Sequence, residues 1–179
     1  MSASPGRRRA DLTPRPYRLL RDDIAPKLSA RPGAAVAFLL LADLPDTPAP
    51  DLFVAVTANV GGGGLWSKEA VPLAAVAAAI DTWLSAQPAS GSGATPADAP
   101  RPFPTRALAA AYAGRSNNNA PFLAACLRHL GLLAAAPDIP HHHVLTADLD
   151  AFRQHGLAQA GEPTTYPPAP EPHRHADPD

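Results

Sequence analysis

Apolar positions along this chain fall into runs separated by polar, proline-rich stretches, and the spacing inside each run predicts its element. Residues 34–44 (AAVAFLLLADL) and 52–60 (LFVAVTANV) are compact apolar runs joined by Pro45-Asp46-Thr47-Pro48, a composition that favours a turn. They predict an antiparallel strand pair. Val54, Val56, Ala58 and Val60 alternate with Phe53, Ala55, Thr57 and Asn59, so one set is expected on a buried face and the other opposite it. Leu73, Val76, Ile80, Trp83 and Leu84 then repeat at three- and four-residue steps, which predicts a helix from about Pro72 to Ala86, with Ser67 and Pro72 placed to cap and start it. Upstream, Tyr17, Leu20 and Ile24 share helical spacing and Pro26 should stop the element, so a short helix is expected there too.

Residues 87–104 (QPASGSGATPADAPRPFP) have the composition of a linker or long loop, dividing an αββα unit at 17–86 from a mostly helical unit at 105–156. In the second unit Thr105 can cap a helix through Ala113, and Gly114 can end it in a left-handed conformation. Arg115-Ser116-Asn117-Asn118-Asn119 makes a turn. A second helix is expected from about Ala120, with Pro121 in its first turn, Gly131 as its stop and Phe122, Leu123, Cys126, Leu127 and Leu130 as its apolar stripe. Leu132 to Ala135 and His141 to Leu145 flank the turn Pro137-Asp138-Ile139-Pro140 and read as a hairpin; Thr146 then caps a last short helix holding Leu149 and Phe152, ended by Gly156. The basic stretch 1–16 and the acidic, His- and Pro-bearing stretch 157–179 lack apolar periodicity and are expected to be disordered. The fold class expected is α+β: N-terminal helix, β-hairpin and helix, then a winged-helix-like helical unit.

Composition narrows this picture. The chain has 179 residues, enough for one ordinary domain or two very small ones. Much of its apolar fraction is alanine, so a modest number of large side chains must supply the core. A single cysteine, Cys126, can form no intramolecular disulfide, which suits a reducing cytoplasm, and no segment approaches the roughly 20 apolar residues of a membrane span. A net charge of -1 argues against an indiscriminate nucleic-acid binder, yet the charge is unevenly placed. Residues 99–137 contain Arg101, Arg106, Arg115 and Arg128 and no acid, whereas from Asp138 onward acids outnumber Arg153 and Arg174.

The order of short helix, tight polar turn, longer helix ending in Leu130-Gly131-Leu132 and hairpin, over residues 105–146, resembles the winged helix-turn-helix superfamily. That resemblance implies a second helix lying in the major groove and a hairpin wing touching the backbone or minor groove. Carried over by position, Arg115, Ser116, Asn117, Asn118 and Asn119 match the turn and the start of the recognition helix, and His141, His142 and His143 match the wing. Asn can pair bidentately with adenine, and Arg with guanine or phosphate, so this turn together with Arg106 and Arg128 forms the candidate nucleic-acid-binding set. On this reading the chain is a DNA-binding regulatory or accessory protein. The alternative is a non-enzymatic adaptor or structural protein that binds only protein, as a homodimer or with another partner, through a sheet edge, the helix at 72–86 or the tails.

Other chemistry is less well patterned. Cys126 and His129 have C-x-x-H spacing, and with His141 and His143 could supply four zinc ligands, but Cys126 also sits on an apolar stripe and the histidines on a hairpin edge. Gly61 to Gly64 followed by Ser67-Lys68 suggests a phosphate loop, yet Leu65 and Trp66 intervene and Ser precedes Lys. Trp66 either marks a partner surface or packs back over the sheet. With no G-x-S-x-G and no acidic pair in a recognisable setting, neither catalysis nor a cofactor or metal is expected.

Overall fold

In the computed structural model, which describes residues 12–28, 32–87, 100–114 and 116–168, the chain runs β1 (Arg15–Pro26), β2 (Ala35–Ala42), β3 (Leu52–Val60), β4 (Ala70–Pro72), α1 (Leu73–Ala86), β5 (Phe103–Pro104), a 3-10 helix (Thr105–Ala111), α2 (Asn119–His129), β6 (Leu133–Ala135), β7 (His142–Leu145), α3 (Leu149–Ala158) and β8 (Glu162–Tyr166). Helices combine with two antiparallel sheets, an α+β composition. The larger sheet has the order β4-β3-β2-β1-β8, and the smaller β5-β7-β6. No helix among the described residues is long and apolar enough to cross a membrane.

The two apolar runs pair as expected, Leu41 opposite Phe53 and Leu40 opposite Val54. Their alternation, however, breaks at a bulge: Ala37 faces Ala58 but Phe38 faces Val56, leaving Thr57 as the extra residue. Val54 and Val56 therefore enter the main core, while beyond the bulge it is Asn59 that lies level with core residue Val36 and Val60 that is exposed. The face expected to carry Val54, Val56, Ala58 and Val60 is thus divided in two.

The expected N-terminal helix at 17–24 is instead the long strand β1, paired with β2 on one side and β8 on the other. A bulge between Leu19 and Arg21 shifts its side-chain phase, and this shift imitates helical spacing. Tyr17 lies in one core cluster, Leu20 packs against the other, and Ile24 is exposed, so the three share no face. The stretch expected to be a disordered tail from residue 157 also needs correcting. Leu157 and Ala158 are the last two residues of α3, and residues 162–166 form β8, whose partner β1 is remote in sequence and invisible to any local pattern. Residues 1–11, 88–99 and 169–179 lie outside the described set.

The main core takes residues from Ala25 to Leu133, so the stretches on both sides of the expected linker pack into one cluster. Leu73, Val76, Ala79 and Ile80 of α1 join it as the periodicity predicts, and Leu149, Phe152 and Leu157 of α3 pack against it. The opposite sheet face holds a small cluster of Tyr17, Leu41, Phe53, Ala55 and Tyr166. Tyr166 on β8 reaches Val56 on β3, three strands away, with its hydroxyl 3.4 Å from the Val56 carbonyl, so the sheet must curl strongly about this cluster. Helix ends are handled differently from expectation. Asp148, not Thr146, caps α3, accepting the Asp150 and Ala151 amides, and Gly156 lies inside that helix, where a Cβ would come within 2.5 Å of Leu52 Cδ1.

Pro72 precedes α1 without supplying a side-chain cap. Buried Asp51 acts in its place, its carboxylate accepting the Ala74 amide at 3.0 Å and the Leu52 amide at 2.8 Å. Asp43, equally buried, accepts the Asp51 amide and pairs with Arg15 at 2.7 Å. Two carboxylates thus join β1, β2, β3 and α1. Asp51→Ala should cost about 1–2 kcal/mol in urea unfolding by leaving a helix-start amide uncapped. Asp46→Ala, at an exposed turn position, should stay within about 0.5 kcal/mol. Equal effects would show that Asp51 is not the cap.

Candidate functional site

Ser116, Asn117 and the tip of the β6–β7 hairpin border a single cleft of about 690 Å³ beside the 3-10 helix. Its apolar walls include Leu28, Pro104, Ala109, Pro121 and Pro140, and its polar groups include Arg106, Asn117 and His142. No acidic residue is among its described lining residues. The hairpin forms where expected, with Asp138 and His141 in left-handed backbone at its ends, and Gly131 stops α2 with φ of 75°. Thr105 opens a 3-10 helix rather than capping an α-helix, because its hydroxyl is engaged by the hairpin.

The candidate residues divide into three groups. Arg106 and Asn117 are exposed at the cleft, and the Arg106 guanidinium lies 5.0 Å over the Trp83 ring. Ser116, Asn118 and Asn119 are occupied in holding the loop between β3 and β4. The Ser116 hydroxyl and the Asn118 amide both donate to the Leu65 carbonyl, the latter at 2.9 Å. Asn119, only 2% exposed, accepts the Ser67 amide at 2.8 Å and donates to the Gly114 carbonyl at 3.1 Å. Glu69 completes this clasp, accepting the amides of Ala113 and Gly114. An acid from outside the acid-free stretch therefore meets it in space. Arg115 lies outside the described residues.

Arg128 belongs to a third group, with fully buried His143. The Arg128 Nε–H donates to His143 Nδ1 at 3.1 Å, and since a guanidinium can only donate, the imidazole proton must sit on Nε2. That proton points to the Thr105 hydroxyl at 2.8 Å, which in turn donates to the His141 carbonyl at 3.0 Å. Thr105 and His143 have the separation of a nucleophile and its base, but the polarity is reversed: the nitrogen facing the hydroxyl already carries a proton. Burial, with Arg128 close by, pushes the imidazole down to about 4. This chain of bonds fastens the hairpin to α2 and the 3-10 helix and cannot serve as a base.

The four possible zinc ligands go separate ways. Cys126 is buried in the core with its thiol pushed up to about 12 by desolvation, His129 bonds Asp23 at 2.9 Å, and His143 is in the relay. No group of three or more metal-holding side chains occurs among the described residues. The glycine run opens no helix, since β4 intervenes before α1. Trp66 packs back, donating to the Val56 carbonyl at 3.0 Å with its ring on Phe122. The Trp83 platform under Arg106 and the role of Thr105 were missed in the sequence, where nothing local marks either.

No family model, curated protein or solved structure matches this chain.

Two outcomes follow from this geometry. Asn119→Ala, which removes the partner of the part-buried Ser67 amide and Gly114 carbonyl, should cost about 1–3 kcal/mol, while Asn117→Ala should stay within about 0.5 kcal/mol; similar values for both would dissolve the distinction between clasp and cleft. His143 is neutral when folded, and its pKa is depressed from 6.5 to about 4, so the unfolded chain takes up the proton first. Stability from this group should be intact above about pH 6.5, fall as pH drops toward 4 and level off below, by about 3 kcal/mol in all. Urea midpoints across that window should slope less in His143→Gln. Parallel slopes would contradict the assignment.

Proposed function

We propose that this chain is a non-enzymatic binding module of the adaptor kind, whose cleft takes a short extended segment of a partner protein. The observation that carries this reading is the cleft itself. At about 690 Å³ it falls within the roughly 300–1,000 Å³ of ligand sites, and it combines apolar walls with a few polar groups. Three of its wall residues are prolines, which lose no side-chain entropy on contact, so much of the surface is already in its binding shape.

The helix that the winged-helix resemblance would place in a DNA groove has little surface to offer. Ala120 and the whole run Phe122 to Leu127 of α2 are buried, and Asn118 and Asn119 already have partners in their own chain. A groove-reading helix needs an exposed face. The nucleic-acid reading retains one favourable observation: Arg106, Ser116 and Asn117 line the same cleft as His141 and His142, so the turn and hairpin tip adjoin as that resemblance implies.

Selection from a displayed random peptide library distinguishes the two. Under the adaptor reading, enriched peptides lose at least tenfold in affinity for Ala109→Trp, which fills the cleft from an exposed position. Peptides indifferent to that substitution would overturn the assignment to this cleft, and no enrichment together with a salt-sensitive shift of labelled duplex that vanishes in Arg106→Ala/Asn117→Ala would overturn the adaptor reading in favour of nucleic-acid binding.

A further inference from the structure

We infer that the segment entering this cleft carries a carboxylate, gripped by Arg106, within an otherwise apolar stretch; this rests on the adaptor reading above. Among the described lining residues Arg106 is the one that is permanently charged, and among the described residues it has no ion-pair partner. Its guanidinium is not loose, since it lies 5.0 Å over the ring of Trp83, itself partly buried against the core. Stacking of this kind holds the planar fork while leaving its N–H edge able to meet a carboxylate through two parallel bonds.

The other polar groups of the cleft are largely committed. The Thr105 hydroxyl donates to the His141 carbonyl, the Ser116 hydroxyl to the Leu65 carbonyl, and the His142 ring bonds the Pro140 carbonyl. Among the described residues Arg106, Asn117 and the exposed His141 ring are left to set specificity. With no acid among the described lining residues, an incoming anion meets no carboxylate there, and a cationic segment finds none to pair with. The apolar walls are proline, alanine and leucine side chains, and no Phe, Tyr or Trp is among them. Among the described lining residues only the imidazoles of His141 and His142 offer ring faces on which nucleobases could stack. Aliphatic side chains flanking one acidic residue match both the walls and the charge.

The probe is a pair of N-acetylated, C-amidated octapeptide pools, one with a fixed central glutamate and one with glutamine, the remaining positions drawn from Ala, Val, Leu, Pro and Ser. The folded full chain should capture the glutamate pool about 3- to 10-fold better at low salt, corresponding to one charge-assisted contact. That preference should shrink as salt rises and disappear in Arg106→Gln, whose melting temperature serves as the folding control. Equal capture of the two pools, with both lost in Ala109→Trp, would overturn the carboxylate inference and leave the adaptor reading standing. A glutamate preference that survives Arg106→Gln would overturn the assignment to this arginine. Capture of neither pool, or capture indifferent to Ala109→Trp, would overturn both.

Discussion

Helix α2 is buried on nearly every side, and its neighbours must satisfy what that burial leaves open. Ala120, Ala124 and Ala125 let the sheet and the 3-10 helix approach closely, while Phe122, Leu123 and Leu127 fill the space between them. A helix placed this way starts inside the protein, so buried Asn119 has to find partners for both ends of its amide. It finds them in Ser67 and Gly114, which fixes the path of the loop after β3. Gly64 then follows from packing: its φ of 106° suits glycine, and any Cβ would sit 2.4 Å from Asn118 Nδ2. The last glycine of a run that resembles a phosphate loop is explained here by the close approach of the residue that starts α2.

The buried polar side chains Asp43, Asp51 and His143 are likewise partnered, whereas the buried Arg153 Nε has no hydrogen-bond partner. Asp43 and Asp51 hold the β2–β3 turn against both β1 and α1, and His143 is bonded at both ring nitrogens. The donor that would be exposed at Ile24 on β1, beyond the reach of β8, is met by the carboxylate of Asp23, and Pro26 further along has no amide proton to offer. At these two positions the open half of that strand offers no free donor for pairing with other chains.

Elements defined by local periodicity were legible in the sequence: β2 with β3, α1, α2 and the β6–β7 hairpin all follow from apolar spacing and turn chemistry. What escaped depends on partners far away or on single-residue shifts. Two bulges, at Leu19 and at Thr57, changed the apparent period of β1 and divided a face of β3. The strand β8 is polar because it lies at a sheet edge, and only β1 reveals it. For the candidate site, the sequence drew attention to the right stretch but could not sort it. Asn117, Asn118 and Asn119 are adjacent and chemically identical, yet the first faces the cleft and the other two face the chain's own loop.

The pairing of β1 with β8 also has a mechanical meaning. Arg15 and Tyr166 are directly opposite, so a pull applied between them loads the ladder at one end and opens it bond by bond, as a zipper, rather than shearing all its bonds together. The ladder is antiparallel and short, ending at Leu19 and Glu162. β8 would therefore peel away first under tension, carrying with it the Tyr166 ring that fills the inside of the curled sheet, while α2 and the cleft beside it would still be intact.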